Sequence, residues 1–164
     1  MAVTTTVQRL RIRLEPALRQ LFHFYWRFAR GMTLGVRAVV LDGENRVFLI
    51  KHSYVSGWHL PGGGVEAGET IATALARELS EEGNIIVTAP PVLHGVFFNA
   101  RDSRRDHVAV FVVRDFRQDT TPVPDREIVE HGFFPPDALP AEATPGTRRR
   151  LAEVLGGQPI SDRW

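Results

Sequence analysis

The sequence predicts an α/β domain in which a mixed β-sheet is sandwiched between α-helices. Three observations predict it. Short runs rich in Val, Leu and Phe recur along the chain, segments of helical periodicity stand between and after them, and 164 residues suit one core rather than two. Strands interspersed with helices call for a sheet covered on both sides.

The elements follow in order. Residues 1–8 read as an unstructured terminus. Residues 9–30 read as a helix, with Leu14, Leu18, Leu21, Phe22, Tyr25 and Phe28 near helical spacing, and Gly31 breaks it. Thr33–Leu41 is a Val-rich strand. Asp42-Gly43-Glu44-Asn45 is a turn and Arg46–Lys51 a second strand, so the two are expected to form a hairpin. Ser53–Gly64 is a loop holding Pro61 and the run Gly62-Gly63-Gly64, and Ile71–Glu82 is a helix. Val92–Phe98 and His107–Val113 are strands joined by the polar loop Asn99–Asp106, and Glu127–Phe134 is a short strand. After Pro135, Pro136 and Pro140, a last helix covers roughly Thr147–Leu155 and stops at Gly156-Gly157.

Composition excludes several classes. The chain has no cysteine, hence no disulfide framework, thiolate zinc site or cysteine nucleophile, and this suits the cytoplasm. Arginines spread through residues 1–30 argue against a secretory signal, and no apolar stretch is long enough to span a membrane. A net charge of +1 does not by itself argue for nucleic acid or a membrane surface, and no stable nucleic-acid complex is expected. The sequence also lacks a P-loop, an H-E-x-x-H pair, a dinucleotide-binding G-x-G-x-x-G after a strand and a G-x-S-x-G nucleophile elbow.

The chemistry concentrates on the helix Ile71–Glu82. Ile71, Leu75 and Leu79 form an apolar stripe, while Glu78, Glu81 and Glu82 stand at i, i+3 and i+4 on an adjacent face. As pure structure this is unfavourable. Like charges at that spacing repel, and the last turn of a helix prefers cations. Glu82 also falls within the sector of the leucine stripe, which implies partial desolvation. A divalent cation removes all three costs, and hard oxygen ligands suit magnesium or manganese. A solvated acidic face is the plain alternative. The preceding glycines let the backbone approach a ligand closely, which makes Gly63 a candidate substrate contact. A backbone carbonyl from this loop is positioned to complete a metal shell, and Glu69 is within reach of Arg77 as an ion pair that braces loop against helix.

These residues resemble a known family. The segment Gly63-x5-Glu69-x7-Arg77-Glu78-Leu79-x-Glu81-Glu82, with Ile85 at its last position, is similar to the signature of the Nudix hydrolases, G-x5-E-x7-R-E-U-x-E-E-x-G-U, where U is a bulky aliphatic. Trp58-His59-Leu60-Pro61-Gly62 is similar to the family's W-x-L-P-G lead-in. One position departs: the second signature glycine falls on Asn84, the next-best residue at a left-handed helix cap. The resemblance implies a mixed sheet between helices spanning residues 31–160, with residues 1–30 as an N-terminal helical extension. It implies hydrolysis of a diphosphate bond in a nucleoside diphosphate linked to another group, by water attack on phosphorus. Carried over by position, Glu78, Glu81, Glu82 and the carbonyl of Gly62 are the implied ligands of Mg2+ or Mn2+, and Glu69 and Arg77 the bracing pair.

Other roles stay open at this level. The general base is Glu81 or Glu82 on the helix, or a later acid such as Glu130, with Glu127 beside it. Trp58 is the candidate to stack a base, ahead of Phe97 and Phe98. Arg101, with Arg104 and Arg105, is either a phosphate contact or part of a solvated hairpin tip. His52, His59, His94, His107 and His131 read as structural. The aromatic and basic helix 9–30 suits packing on the sheet or on a second copy in a homodimer, or a membrane surface. A nucleotide-binding module that has lost turnover is the reading from another class.

Overall fold

A computed structural model of the chain describes Phe22, Tyr25 and residues 31–164. The chain divides into two units, Met1–Met32 and Thr33–Trp164. The helix expected over residues 9–30 lies outside the described residues, apart from Phe22 and Tyr25, which are helical. No helix among the described residues is long and apolar enough to cross a membrane.

In the second unit the elements are β1 (Thr33–Val40), β2 (Val47–His52), β3 (Trp58–His59), α1 (Ile71–Gly83), β4 (Ile86–Val87), β5 (Val92–Phe98), β6 (Asp106–Val113), β7 (Phe116–Arg117), β8 (Ile128–Phe134) and α2 (Pro145–Val154). One sheet has the order β1-β6-β5, with β1 parallel to β6 and β5 antiparallel to it, so it is mixed as expected. A second, antiparallel sheet has the order β3-β2-β8, and β4 pairs with β7.

The expected hairpin between the first two strands does not form. β1 and β2 belong to different sheets and share only the isolated bridge Leu41↔Val47. The turn is there: Asp42 accepts from the backbone N–H groups of Glu44 and Arg46 and bonds the Arg46 side chain. What the turn does not decide is the pairing. Both strands are buried on both faces, so neither carries the polar-out alternation of a two-stranded ribbon, and β1 finds a parallel partner in β6.

Alternation along these strands builds two cores. Val36, Ala38, Val40, Phe48 and Ile50 face Leu75 and Leu79 of α1. Val39, Leu41, Val47 and Leu49 face the other way, toward Trp58, Leu60, Phe97 and Leu151 of α2. Helices therefore cover the strands from both sides. The chain end joins the second core: the backbone of Asp162–Trp164 exchanges hydrogen bonds with Phe98, and Trp164 packs beside Gly146.

Candidate active site

The site is assembled from the loop Leu60–Val65 and the helix that follows it. Pro61–Val65 lies against β1, where Ala38 N–H donates to the Pro61 carbonyl at 2.9 Å, Val36 N–H to the Gly63 carbonyl at 2.8 Å, and Val65 N–H to the Leu34 carbonyl at 2.9 Å. This approach demands glycine. Gly62 has φ +134°, and a Cβ there would stand 2.1 Å from the Val36 carbonyl oxygen. At Gly63 a Cβ would stand 2.3 Å from a Glu78 carboxylate oxygen, so the glycine makes room for that carboxylate.

α1 starts where Thr70 caps it, accepting from Thr73 N–H at 3.1 Å. The Ala, Leu, Arg and Glu residues that follow are strong helix formers. It ends at Asn84, which adopts the left-handed conformation at φ 51° while Ile85 N–H returns to the Leu79 carbonyl. Asparagine thus serves where the signature has glycine.

The three helix glutamates meet different surroundings. Glu82 is buried at 7% exposure, as its place on the leucine stripe implied. Its Oε2 accepts from Gly62 N–H at 2.6 Å, and its Oε1 lies 3.9 Å from His52 Nε2. Burial raises its pKa to about 7, against the opposing pull of Arg37 and of the Gly62 N–H. Glu78 lies against Gly63 and accepts from Arg77 Nη1 at 2.8 Å. Glu81 is largely exposed, with Arg77 Nη1 at 3.4 Å.

Arg77 donates from Nε and Nη2 to the two oxygens of Glu69, at 3.1 and 3.2 Å, in a bidentate fork. It also reaches the Gly64 carbonyl at 3.2 Å. Hydrogen bonds to Glu69, then to Glu78, hold its pKa well above the ordinary value, and the same fork holds Glu69 below its own. Loop and helix are therefore braced through one guanidinium that touches three carboxylates.

A second group of side chains faces Glu82 from β1–β3, and the sequence reading missed it. Arg37 Nη1 donates to the carbonyls of Leu60, at 3.0 Å, and of Gly62. His52 lies beside Tyr54 and His59, the rings tilted to one another with centroids 5.0 and 5.8 Å away. Burial, then the Arg37 charge, hold the His52 ring toward its neutral form. Its Nδ1 is buried without a hydrogen-bond partner. The available signal was a lone arginine inside the apolar run Val36–Val40 and a histidine closing an apolar strand. The register of β2 against β8 slips between Lys51 and His52, and no sequence pattern announces that bulge.

Other candidates fall elsewhere. Trp58 is only 8% exposed and packs edge-on against Phe134 in the second core, which leaves no free face for a base to stack on. Its indole is large and apolar, and β3 directs it inward. Phe97 is fully buried under the Arg150 guanidinium, 3.7 Å from the ring centroid. Arg101 is exposed in the turn between β5 and β6. Glu130 pairs with Lys51 at 3.4 Å, and Glu127 accepts from the Tyr54 hydroxyl at 3.0 Å.

The donor set suits a hard divalent cation: three glutamates and a loop carbonyl, all oxygen. In this arrangement arginines occupy those oxygens, Arg77 on Glu78 and Glu81 and Arg37 on Gly62. Accordingly, no three acidic or histidine side chains among the described residues converge closely enough to hold an ion as they stand. The residues fit the metal in chemistry and location, and require the arginine contacts to loosen.

Comparison with known proteins supplies the remaining findings. The sequence profile of the NUDIX domain matches residues 31–154. An RNA pyrophosphohydrolase of Pelagibacter ubique is 45% identical over 53 residues, 31% of this chain and 34% of that protein. An ADP-ribose pyrophosphatase of Methanocaldococcus jannaschii is 37% identical over 82 residues, 46% of this chain and 48% of that protein. The matched region thus spans a third to a half of the length of these relatives. Among solved structures, a MutT NUDIX hydrolase from Burkholderia pseudomallei superposes with a TM-score of 0.65 at 28% identity, covering 74% of this chain and 97% of that one.

Proposed function

The chain belongs to the Nudix family, and from that premise we propose that it is a divalent-metal-dependent hydrolase of a diphosphate bond in a nucleoside diphosphate derivative. One observation carries the reading beyond family membership: the glycine loop and the acid helix are locked together with a buried carboxylate, Glu82, held on the Gly62 N–H at 2.6 Å and raised to about 7.

The geometry supports a set of proposed roles. Glu78, Glu81, Glu82 and the Gly62 carbonyl are the groups that would hold Mg2+ or Mn2+. A bound divalent cation supplies neutralisation of the diphosphate charge and activation of water. Water oxygen bonds to phosphorus, the bond from phosphorus to the bridging oxygen breaks, and the water proton passes to a carboxylate. Glu82 suits that acceptor better than Glu130, which is exposed and engaged by Lys51. Glu69 and Arg77 keep the loop registered on the helix. The relatives' names share pyrophosphate chemistry and differ in what carries it, RNA in one and ADP-ribose in the other, so the reading stops at the diphosphate derivative.

The test is turnover of a panel of nucleoside diphosphate derivatives with Mg2+ or Mn2+, followed as phosphate or monophosphate release. Metal-dependent hydrolysis that falls by about a hundredfold or more in Glu82→Gln is expected. Tight nucleotide binding without turnover would instead mark a binding module.

A further inference from the structure

Arg37 is out of place by the rules of its own strand. Val36, Ala38, Val39 and Val40 around it are fully buried, and β1 pairs along its length with β6, Arg37 opposite Val110. A charged side chain in such a strand incurs a desolvation cost unless it meets partners. Its hydrogen-bond partners are two carbonyls, those of Leu60 and Gly62, and it makes no ion pair with a carboxylate among the described residues.

The choice of carbonyls follows from the extended loop. Carbonyls alternate in direction along such a segment. Those of Pro61 and Gly63 are used by the N–H groups of Ala38 and Val36, which leaves Leu60 and Gly62 turned to the opposite side, where the guanidinium lies. The same bonds and the closeness of Gly62 to the Val36 carbonyl fix the peptide, so the Gly62 oxygen cannot turn away to seek a different partner.

Resting on the hydrolase reading above, in which the Gly62 carbonyl belongs to the metal site, we propose that Arg37 is a positioning residue whose guanidinium and the divalent cation compete for the Gly62 carbonyl oxygen. Two cations on one oxygen stand about 4 Å apart and repel strongly in a half-buried setting. The loop's own hydrogen bonds hold the carbonyl in place, Arg37 occupies it in the metal-free protein, and metal binding requires Arg37 to withdraw. The residue weakens metal affinity while preserving the site that the metal enters, as an internal counter-cation for Glu82.

The sign of the effect separates this role from a structural one. A merely structural Arg37 would, when replaced, leave a looser loop and weaker metal binding. Mn2+ is titrated into the full chain without substrate, and free Mn2+ is read by electron paramagnetic resonance. Arg37→Gln is expected to bind Mn2+ about tenfold more tightly than the unaltered protein, and Arg37→Lys, which keeps the charge, to stay within about threefold of it. Equal or weaker binding by a folded Arg37→Gln overturns the proposal. Should Arg37→Gln not fold, Mg2+ titration of the unaltered protein by side-chain NMR decides. Arg37 guanidinium signals that shift together with the glutamate carboxylates support it, and guanidinium signals that stay fixed overturn it. The hydrolase reading fails separately: it falls if the unaltered protein and both variants bind no Mn2+. Binding that is lost in Glu82→Gln but not tightened in Arg37→Gln overturns the Arg37 role alone.

Discussion

Glu82 is the proton acceptor in the proposed reaction, and its environment makes a pH prediction. Its pKa rises from an ordinary 4.5 to about 7 in the folded, metal-free protein, chiefly through burial. Within that window the folded chain holds a proton that the unfolded chain releases. Stability is therefore fully present below the window and is lost as pH rises through it. The loss is expected to be on the order of 2 kcal/mol between about pH 5 and about pH 8, and Glu82→Gln should abolish it in chemical denaturation. His52 works in the opposite sense. Its pKa is lowered from 6.5, so its contribution is lost as pH falls and the unfolded chain takes up the proton. Subtracting the Glu82→Gln curve isolates the carboxyl from the imidazole. The glycines add a second residue-scale prediction. Gly62→Ala forces a side chain into φ +134° and onto backbone that cannot yield, and should cost about 3 kcal/mol or more. Gly63→Ala meets the end of the Glu78 side chain instead, and should disturb metal affinity more than stability.

At the scale of the element, α1 is held at both ends by local devices, of which the one at Asn84 was legible in the sequence. Thr70 caps the start, and Thr70→Ala should destabilise the fold by about 1 kcal/mol in urea denaturation. Asn84 closes the end in the left-handed region at φ 51°. Replacing it by glycine restores the family pattern and costs a hydrogen bond to Thr120 at 3.2 Å, so the net change should stay within about 0.5 kcal/mol. Asn84→Ala loses the cap without that compensation and should cost about 1 kcal/mol. Equal losses of about 1 kcal/mol or more in Asn84→Gly and Asn84→Ala, which both lack the Thr120 contact, would mean that this contact, not the backbone conformation, holds the helix end.

Across the whole molecule the two cores do different work. The first binds α1 to β1 and β2 and so positions the acids. The second joins α2 and the chain end to the opposite face. Beside it Arg150 is fully buried between the Phe97 ring and Glu153, at 2.6 Å, and Glu153 also meets His94 at 3.0 Å. Arg150→Ala leaves Glu153 buried without its cation, which should cost about 3–5 kcal/mol. Because this network is separate from the acid helix, Mn2+ affinity of the folded variant should be unchanged. A parallel loss of metal affinity would show that the cores are coupled.

What the sequence by itself determined is short-range. The span of α1, its C-cap at Asn84, the spacing of Glu78, Glu81 and Glu82, the glycine loop and the Glu69–Arg77 pair all lie within Gly62–Asn84, where periodicity and turn chemistry are the governing forces. The burial of Glu82 was legible for the same reason, since it shares a helical sector with Leu75 and Leu79. Tertiary structure decided what depends on partners distant in the chain. Strands buried on both faces carry no mark of which neighbour they will pair with, so β1 joined β6 rather than β2. Likewise, no local pattern says that Trp58 turns into the second core, or that Arg37 reaches the Gly62 carbonyl across 25 residues of sequence. Each of those placements is settled by which surfaces meet when two sheets and two helices close around shared cores, and that competition is global.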